Sequence, residues 1–426
     1  MLSLRLRIAC VSVSLFAVVA CTLPPSPFTP PPGTDATAGD AKAAKEAADG
    51  VNLFAAELYA HLRAEDDNLV VSPYSISTAM AMAASGAQGT TRDEMQKVLH
   101  LPAPEKLGPA FLAMTTTVTA LPRNAKHKPE LSVANSLWIQ KGHPWKKEFL
   151  AHAHNDFRVA LAEVNFHDSE AARQRINRWA EKETHNRIKD LVPPTAVSPL
   201  TRMVLANAIY FKAHWAEAFK KENTSPAAFT LLDGRKIKVQ TMYQQSAFSL
   251  LEDDRLQVLK LPYDGQTTSM YVILPRKADG LPTLEIALTD SNLMQWTLSE
   301  SKVAPEQVKV WLPKFKFTVP TELAPVLQKM GIREAFSTSA NFRAMTDHPE
   351  GLYISRVIHK AFVELDELGT EAAAATAVVH MSFAASGLPS LPQVKEFRAD
   401  HPFLFVIKHE PTGAVLFIGR VLDPTQ

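Results

Sequence analysis

Glu367-Leu-Gly-Thr-Glu-Ala-Ala-Ala-Ala-Thr376 runs on small side chains, has no turn punctuation after Gly369, and ends in the apolar Ala377-Val-Val379. Alanine is a strong helix former, so residues 371–379 taken alone suit a short helix. The same small residues also suit a strand slipped into a sheet, because nothing bulky blocks close approach of the backbones. The next stretch, Met381-Ser-Phe-Ala-Ala-Ser-Gly-Leu-Pro389, has the Gly and Pro of an exposed loop. A segment that can be either loop or strand is a candidate conformational switch.

The sequence around it is that of a large globular domain. Val51 to Arg63 carries apolar residues at helical spacing. Asn68-Leu-Val-Val-Ser72 is a short strand, and Pro73 opens a helix from Tyr74 to Ser85 that is apolar nearly all round, hence buried. Thr91 and Glu94 have the spacing of a capping box. Leu131 to Gln140 and Met203 to Phe211 are expected strands, with an amphipathic helix from Ser169 to Arg187 between them. Val258 to Pro262 and Ser269 to Leu274 flank a turn at Gly265, and Val308 to Phe317 reads as one alternating strand through Pro313. A short helix covers Leu323 to Met330. Phe403 to Ile407 and Ala414 to Gly419 form a hairpin-like pair. Helices dominate the first third and strands the rest, an α+β order.

The 426 residues are 46% hydrophobic with a formal net charge of +1, so a sizeable core is available and no bias points to nucleic acid. Lys220-Lys221 and Arg235-Lys236-Ile-Lys238 read as solvated faces rather than polyanion sites. Cys10 and Cys21 are the only two cysteines. Both lie in the N-terminal segment, so no disulfide, Cys-based metal site or Cys nucleophile is expected in the mature fold.

Arg5 and Arg7, followed by apolar Ile8 to Val19, form a targeting segment too short to span a bilayer comfortably. Val18-Val-Ala-Cys21 is similar to a bacterial lipobox, which implies residues 1–20 as signal peptide and a lipidated Cys21 as a membrane anchor. A plain secretory signal cut near Ala20 is the alternative. Residues 21–49, Pro-rich and then Ala-rich, read as a spacer. The resulting expectation is a cell-envelope protein held by lipid, with the outer membrane favoured because Thr22, not Asp, follows the cysteine.

Five segments carry a family resemblance, in order and at family spacing, over residues 50–426. They are Asn68-Leu-Val-Val-Ser-Pro-Tyr-Ser-Ile-Ser77, Gly86-Ala-Gln-Gly-Thr-Thr-Arg-Asp-Glu94, Ile176-Asn-Arg-Trp-Ala-Glu-Lys-Glu-Thr184 with Ile188-Lys-Asp-Leu-Val192, Leu205-Ala-Asn-Ala-Ile-Tyr-Phe-Lys212 with Trp215, and Phe397-Arg-Ala-Asp-His-Pro-Phe-Leu-Phe405. Together with the hinge-like run they resemble the serpin family. The resemblance implies an α+β single domain of three β-sheets and about nine helices with an exposed reactive-centre loop. It implies a suicide inhibitor: a serine protease attacks the loop, forms an acyl-enzyme, and is trapped as the cut loop inserts into the main sheet.

The resemblance also assigns residues. The hinge is Gly369, Thr370, Glu371, Ala372, Ala373, Ala374 and Ala375. Counting from Glu367 puts the reactive bond between Phe383 and Ala384, an apolar bait for a chymotrypsin-like or subtilisin-like protease. A loop one residue shorter or longer would offer Ser382 or Ala384 to an elastase-like one. The loop after Ala384 is longer than is common, so Met381 and Leu388 are secondary cleavage candidates. Ser72, Ser75, Asn207 and His359 match the family's "shutter" beneath the sheet centre; Trp215, Lys314 and Glu367 match the "breach" at its top.

Other classes leave weaker traces. No Gly-x-Ser-x-Gly, His-Glu-x-x-His, P-loop or Gly-x-Gly-x-x-Gly motif is present. His152, His154 and His167 lack ligand spacing and read as surface. No cofactor is expected, and a monomer is. A non-inhibitory serpin, acting as a binding protein or as a plain protease substrate, is the alternative function; a membrane-tethered structural protein is a third.

Overall fold

The computed structural model describes residues 38–64, 66–298, 303–348, 351–370 and 394–426. Helix α1 (Ala38–Leu62) leads into β1 (Leu69–Val71), α2 (Pro73–Ser85), α3 (Gly89–Val98) and α4 (Pro104–Val118). Next come β2 (Glu130–Gln140), α5 (Lys147–Asn155), β3 (Ala160–Val164), α6 (Ser169–Glu183) and β4 (Met203–His214). The strands β5 (Ser225–Thr230), β6 (Lys236–Phe248), β7 (Leu250–Glu252), β8 (Leu256–Pro262) and β9 (Thr268–Pro275) precede α7 (Leu281–Ile286) and α8 (Asp290–Leu298). The chain closes with β10 (Glu306–Pro313), β11 (Phe315–Glu322), α9 (Ala324–Met330), β12 (Arg356–Asp366), β13 (Gly369–Thr370), β14 (Lys395–Arg398), β15 (Phe403–His409) and β16 (Val415–Val421).

Among the described residues these nine α-helices surround three sheets. The main sheet has the order β11-β12-β13-β4-β2-β3; a second has β1-β16-β15-β9-β8-β7; a third has β14-β10-β6-β5. The fold is α+β, as the order of periodicities requires. Strands β4, β15 and β16 are buried on both faces, which explains why they read as continuous apolar runs.

Three sequence expectations need correction. Residues 38–49 are not spacer: α1 starts at Ala38, and Ala44, Ala47 and Ala48 are buried in the main core. Alanines at helical spacing let α1 lie close against α4, so a stretch without large apolar residues still packs. Thr91 and Glu94 do not form a capping box. Helix α3 begins at Gly89 without a side-chain cap. Thr91 Oγ1 instead accepts the N–H of Asn341, and Glu94 Oε2 accepts those of Arg333 and Glu334. Residues 308–317 are not one strand. β10 pairs with β6, β11 pairs with β12, and the chain changes sheets at Lys314, whose N–H still donates to Gln240 O of β6 at 2.8 Å.

The main sheet has an uneven centre. From Arg356 to Phe362, β12 pairs directly and in parallel with Val204 to Tyr210 of β4. Beyond that the two strands part, and β13 occupies the space between them. Thr370 pairs with Leu365 and Ala213, and Gly369 with Asp366 and His214.

Candidate functional site

Gly369 is the one residue type that fits its position. Its φ of +150° lies in the region that favours glycine, and a Cβ there would sit 2.0 Å from Ala213 O. A turn over Asp366 to Gly369 delivers it. Asp366 Oδ1 accepts the N–H groups of Leu368 (2.9 Å) and Gly369 (3.3 Å). Burial still holds the Asp366 carboxyl above its usual range against those two bonds. The side chain of Thr370 is seated too: its Oγ1 lies 2.7 Å from the hydroxyl of the buried Tyr263.

Around this entry point the structure brings together Trp215, Lys314 and Glu367. Trp215 follows β4 directly. Its N–H donates to Leu368 O at 2.8 Å, its indole N–H to Asp366 O at 3.1 Å, and its ring stacks on Tyr263 at 4.6 Å. The Glu367 side chain is only 5% exposed. It accepts from Lys314 Nζ at 2.8 Å and from Thr224 Oγ1 at 2.8 Å, while its backbone carbonyl accepts the N–H of Phe219. Burial pushes this carboxyl up, but the bonds from Lys314 and Thr224 outweigh that and hold it below the usual carboxylate range. The change of sheets at Lys314 is what aims its ammonium here.

A second cluster lies lower in the sheet, where β4 and β12 are in direct contact. Asn207 of β4 is the register partner of both Asn135 on β2 and His359 on β12. Helix α2 points its N-terminus at this row. Ser72 caps the helix, its Oγ accepting the N–H of Ser75, with Pro73 in the first turn. The N–H of Ser72 donates to His359 Nε2 at 3.3 Å. Nε2 is thus the acceptor, so the ring is neutral with its proton on Nδ1, which donates to Asn207 Oδ1. Asn207 Nδ2 in turn donates to Ser75 Oγ at 2.5 Å and to Asn135 Oδ1. Ser75 Oγ donates to Asn135 Oδ1 at 3.1 Å, and Asn135 Nδ2 donates to Ser75 O. Every member is buried and every member is bonded, and burial pushes the His359 pKa down to about 3.

Gly369, Thr370, Ser72, Ser75, Asn207, His359, Trp215, Lys314 and Glu367 thus fall into two groups, both beside the line where β4 and β12 meet. Glu371 to Ala375, Phe383, Ala384 and Cys21 lie outside the described residues. Asn135, Thr224, Tyr263 and Asp366 were not singled out from the sequence. For Asn135 there was a signal: an amide in the middle of an apolar strand needs buried partners. For Tyr263 and Thr224 there was none, since their role depends on which loop end arrives beside them. Among the described residues no group of three or more His, Cys, Asp and Glu side chains is arranged to hold a metal ion.

A serpin (serine protease inhibitor) family model matches residues 49–424. Leukocyte elastase inhibitor A of Rattus norvegicus is 38% identical over 383 residues, which cover 88% of this chain and 98% of that protein. An uncharacterised serpin-like protein of Thermococcus kodakarensis is 37% identical over 384 residues, 89% of this chain and 86% of its own. Among solved structures, Serpin48 of the insect Tenebrio molitor superposes with a TM-score of 0.78 at 31% identity, covering 89% of this chain and 98% of that one. Uncleaved ovalbumin gives 0.77 at 32% identity, with 88% and 99% covered. The ordered motifs, the three sheets and these likenesses agree: the chain belongs to the serpin family, whose members are mostly protease inhibitors rather than enzymes.

Proposed function

We propose that this serpin is a suicide inhibitor of chymotrypsin-like or subtilisin-like serine proteases, with Phe383–Ala384 as its reactive bond. A protease that attacks this bond is held as the acyl-enzyme while residues after Thr370 extend β13 downward between β4 and β12. The observation that carries this reading is β13 itself. Two residues of the hinge already pair on both sides, and the sequence that follows supplies small residues for the strand to continue. The lower cluster around Asn207 would hold β4 and β12 together until the new strand parts them. The Lys314–Glu367 pair would resist that parting in the uncut molecule.

The test is to mix the chain lacking residues 1–21 with equimolar chymotrypsin and measure intact mass under denaturing conditions. A species near the summed mass, with a released peptide starting at Ala384, is the expected result. Cleaved chain beside fully active chymotrypsin would reject the reading for this protease and favour a non-inhibitory serpin.

The cell-envelope setting forms part of the same proposal: export, cleavage before Cys21, and lipid on its sulfur. Acyl chains bury about 0.8 kcal/mol per methylene, so more than one gives a stable anchor. Cys21→Ser should move the protein from the membrane fraction to the soluble fraction. An unchanged distribution would exclude a lipid anchor at Cys21.

A further inference from the structure

The top of β4 carries a pair of histidines that neither cluster above uses. His214 is the last residue of β4, and His127 lies in the segment that precedes β2. Their rings stack face to face, 4.1 Å apart and 13° from parallel. Asp264, in the turn between β8 and β9, ties both in place. Its carboxylate accepts the backbone N–H of His127 at 2.7 Å and lies 3.2 Å from His127 Nδ1, and its own N–H donates to His214 O at 2.8 Å. His214 is also the register partner of Gly369, and the next residue, Trp215, donates to Leu368 O. The stack is therefore a side wall of the seat in which the hinge pair is held.

Four groups set the electrostatics. His127 and Lys212 disfavour a charge on His214, while Asp264 and Asp366 favour one. Two neutral imidazoles stack without penalty. Protons on both stacked rings place two cations face to face, with Lys212 on the same strand as His214. Burial first, and then the neighbouring His127, hold the His214 pKa below its usual value, so His214 takes its charge at a lower pH than an isolated histidine would.

We propose that the His127–His214 stack is an acid-operated latch on the seat of Gly369–Thr370: double protonation drives the rings apart and frees the end of β4 from the hinge. Its effect on protease trapping rests on the function proposed above; the latch itself does not. In a mildly acidic medium the sheet of this protein opens at its top more readily than at neutral pH. The shutter-level His359 does not drive this local opening, because in the folded chain its buried ring stays neutral down to about pH 3.

The test is native-state hydrogen exchange of the mature chain at about pH 7.5 and about pH 5, corrected for the intrinsic pH dependence of exchange. The amides of Trp215 and Phe219, which donate to Leu368 O and Glu367 O, report on the seat. Their protection should fall about tenfold or more on acidification. His127→Phe and His214→Phe each keep an aromatic ring and remove one of the two charges, so either should reduce the fall to about twofold or less. A fall of wild-type size in both variants, or none in the wild type, would overturn the latch. Chymotrypsin assayed in parallel separates the two ideas: no trapping at either pH with the exchange difference intact would sink the inhibitor reading and leave the latch standing.

Discussion

Ala374→Arg should leave the uncut protein folded and abolish trapping, so that chymotrypsin emerges active and the chain emerges cut. The register of β13 gives the reason. Thr370 faces the core side, where Tyr263 holds its hydroxyl, and lies opposite Ala213 and Leu365. If the strand continues without a slip, alternation puts Ala372 and Ala374 on that same side. Ala374 then arrives between Ile209 of β4 and Ala361 of β12, both in the main hydrophobic core. A guanidinium there has no acidic partner, and an unpaired buried charge costs at least several kcal/mol. Insertion stalls and the acyl-enzyme hydrolyses. Ala374→Val, apolar and β-prone, should keep trapping close to one for one. The measurement is the number of inhibitor molecules consumed per protease silenced, expected to rise tenfold or more for Ala374→Arg. One-for-one trapping by that variant would show that the strand does not insert in this register.

Acid should also lower the stability of the whole fold through His359, by a route separate from the latch. The folded pKa is about 3, depressed by burial, against about 6.5 for a free histidine. Between these values the unfolded chain binds the extra proton and the folded chain does not. Stability is therefore complete above pH 6.5 and is lost progressively as the pH falls towards 3, by several kcal/mol at the acid end. Protonation would also turn Nε2 into a donor facing the N–H of Ser72, which removes one of the bonds holding α2 to the row. His409, buried in β15 and pushed down to about 4, acts in the same direction. Thermal unfolding of the wild type and of His359→Gln between pH 7 and pH 4 separates them. The wild type should lose more stability over this range than the variant, and equal losses would remove His359 from the account.

The fold class was legible, as were α1, β1, α2, α6, β4, β8, β9, α9, β15 and β16, because each is a short apolar run or carries a helical period, whereas α4, α5, β3, β5 to β7, α7, α8, β12 and β14 carried no pattern clear enough to assign. The three misreadings share one cause: tertiary partners that local pattern cannot reveal. Ala44, Ala47 and Ala48 look like linker until α4 is placed beside them. Thr91 and Glu94 have the spacing of a cap, yet they serve residues some 240 positions away in sequence. Val308 to Phe317 alternates evenly across Pro313, and alternation carries no mark of a change of sheet. The site divides in the same way. Ser72, Ser75, Asn207 and His359 were found through motifs, whereas Thr224 and Tyr263 matter only because the turn at Asp366–Gly369 lands next to them.

The pairing of Gly369 and Thr370 with strands on both sides has a kinetic meaning. A new strand is slow to start, because fixing its first residues costs backbone freedom before ladder bonds accumulate, and faster to lengthen once a first pair exists. Here that first pair is present before any protease arrives. Under the proposed mechanism each encounter becomes a race between two clocks, elongation from an end already fixed and hydrolysis of the acyl bond by the enzyme. A protease with slow deacylation is caught, and one with fast deacylation departs and leaves a cut chain behind. Selectivity in this molecule would then be set as much by the turnover rate of the attacker as by the side chain offered to it.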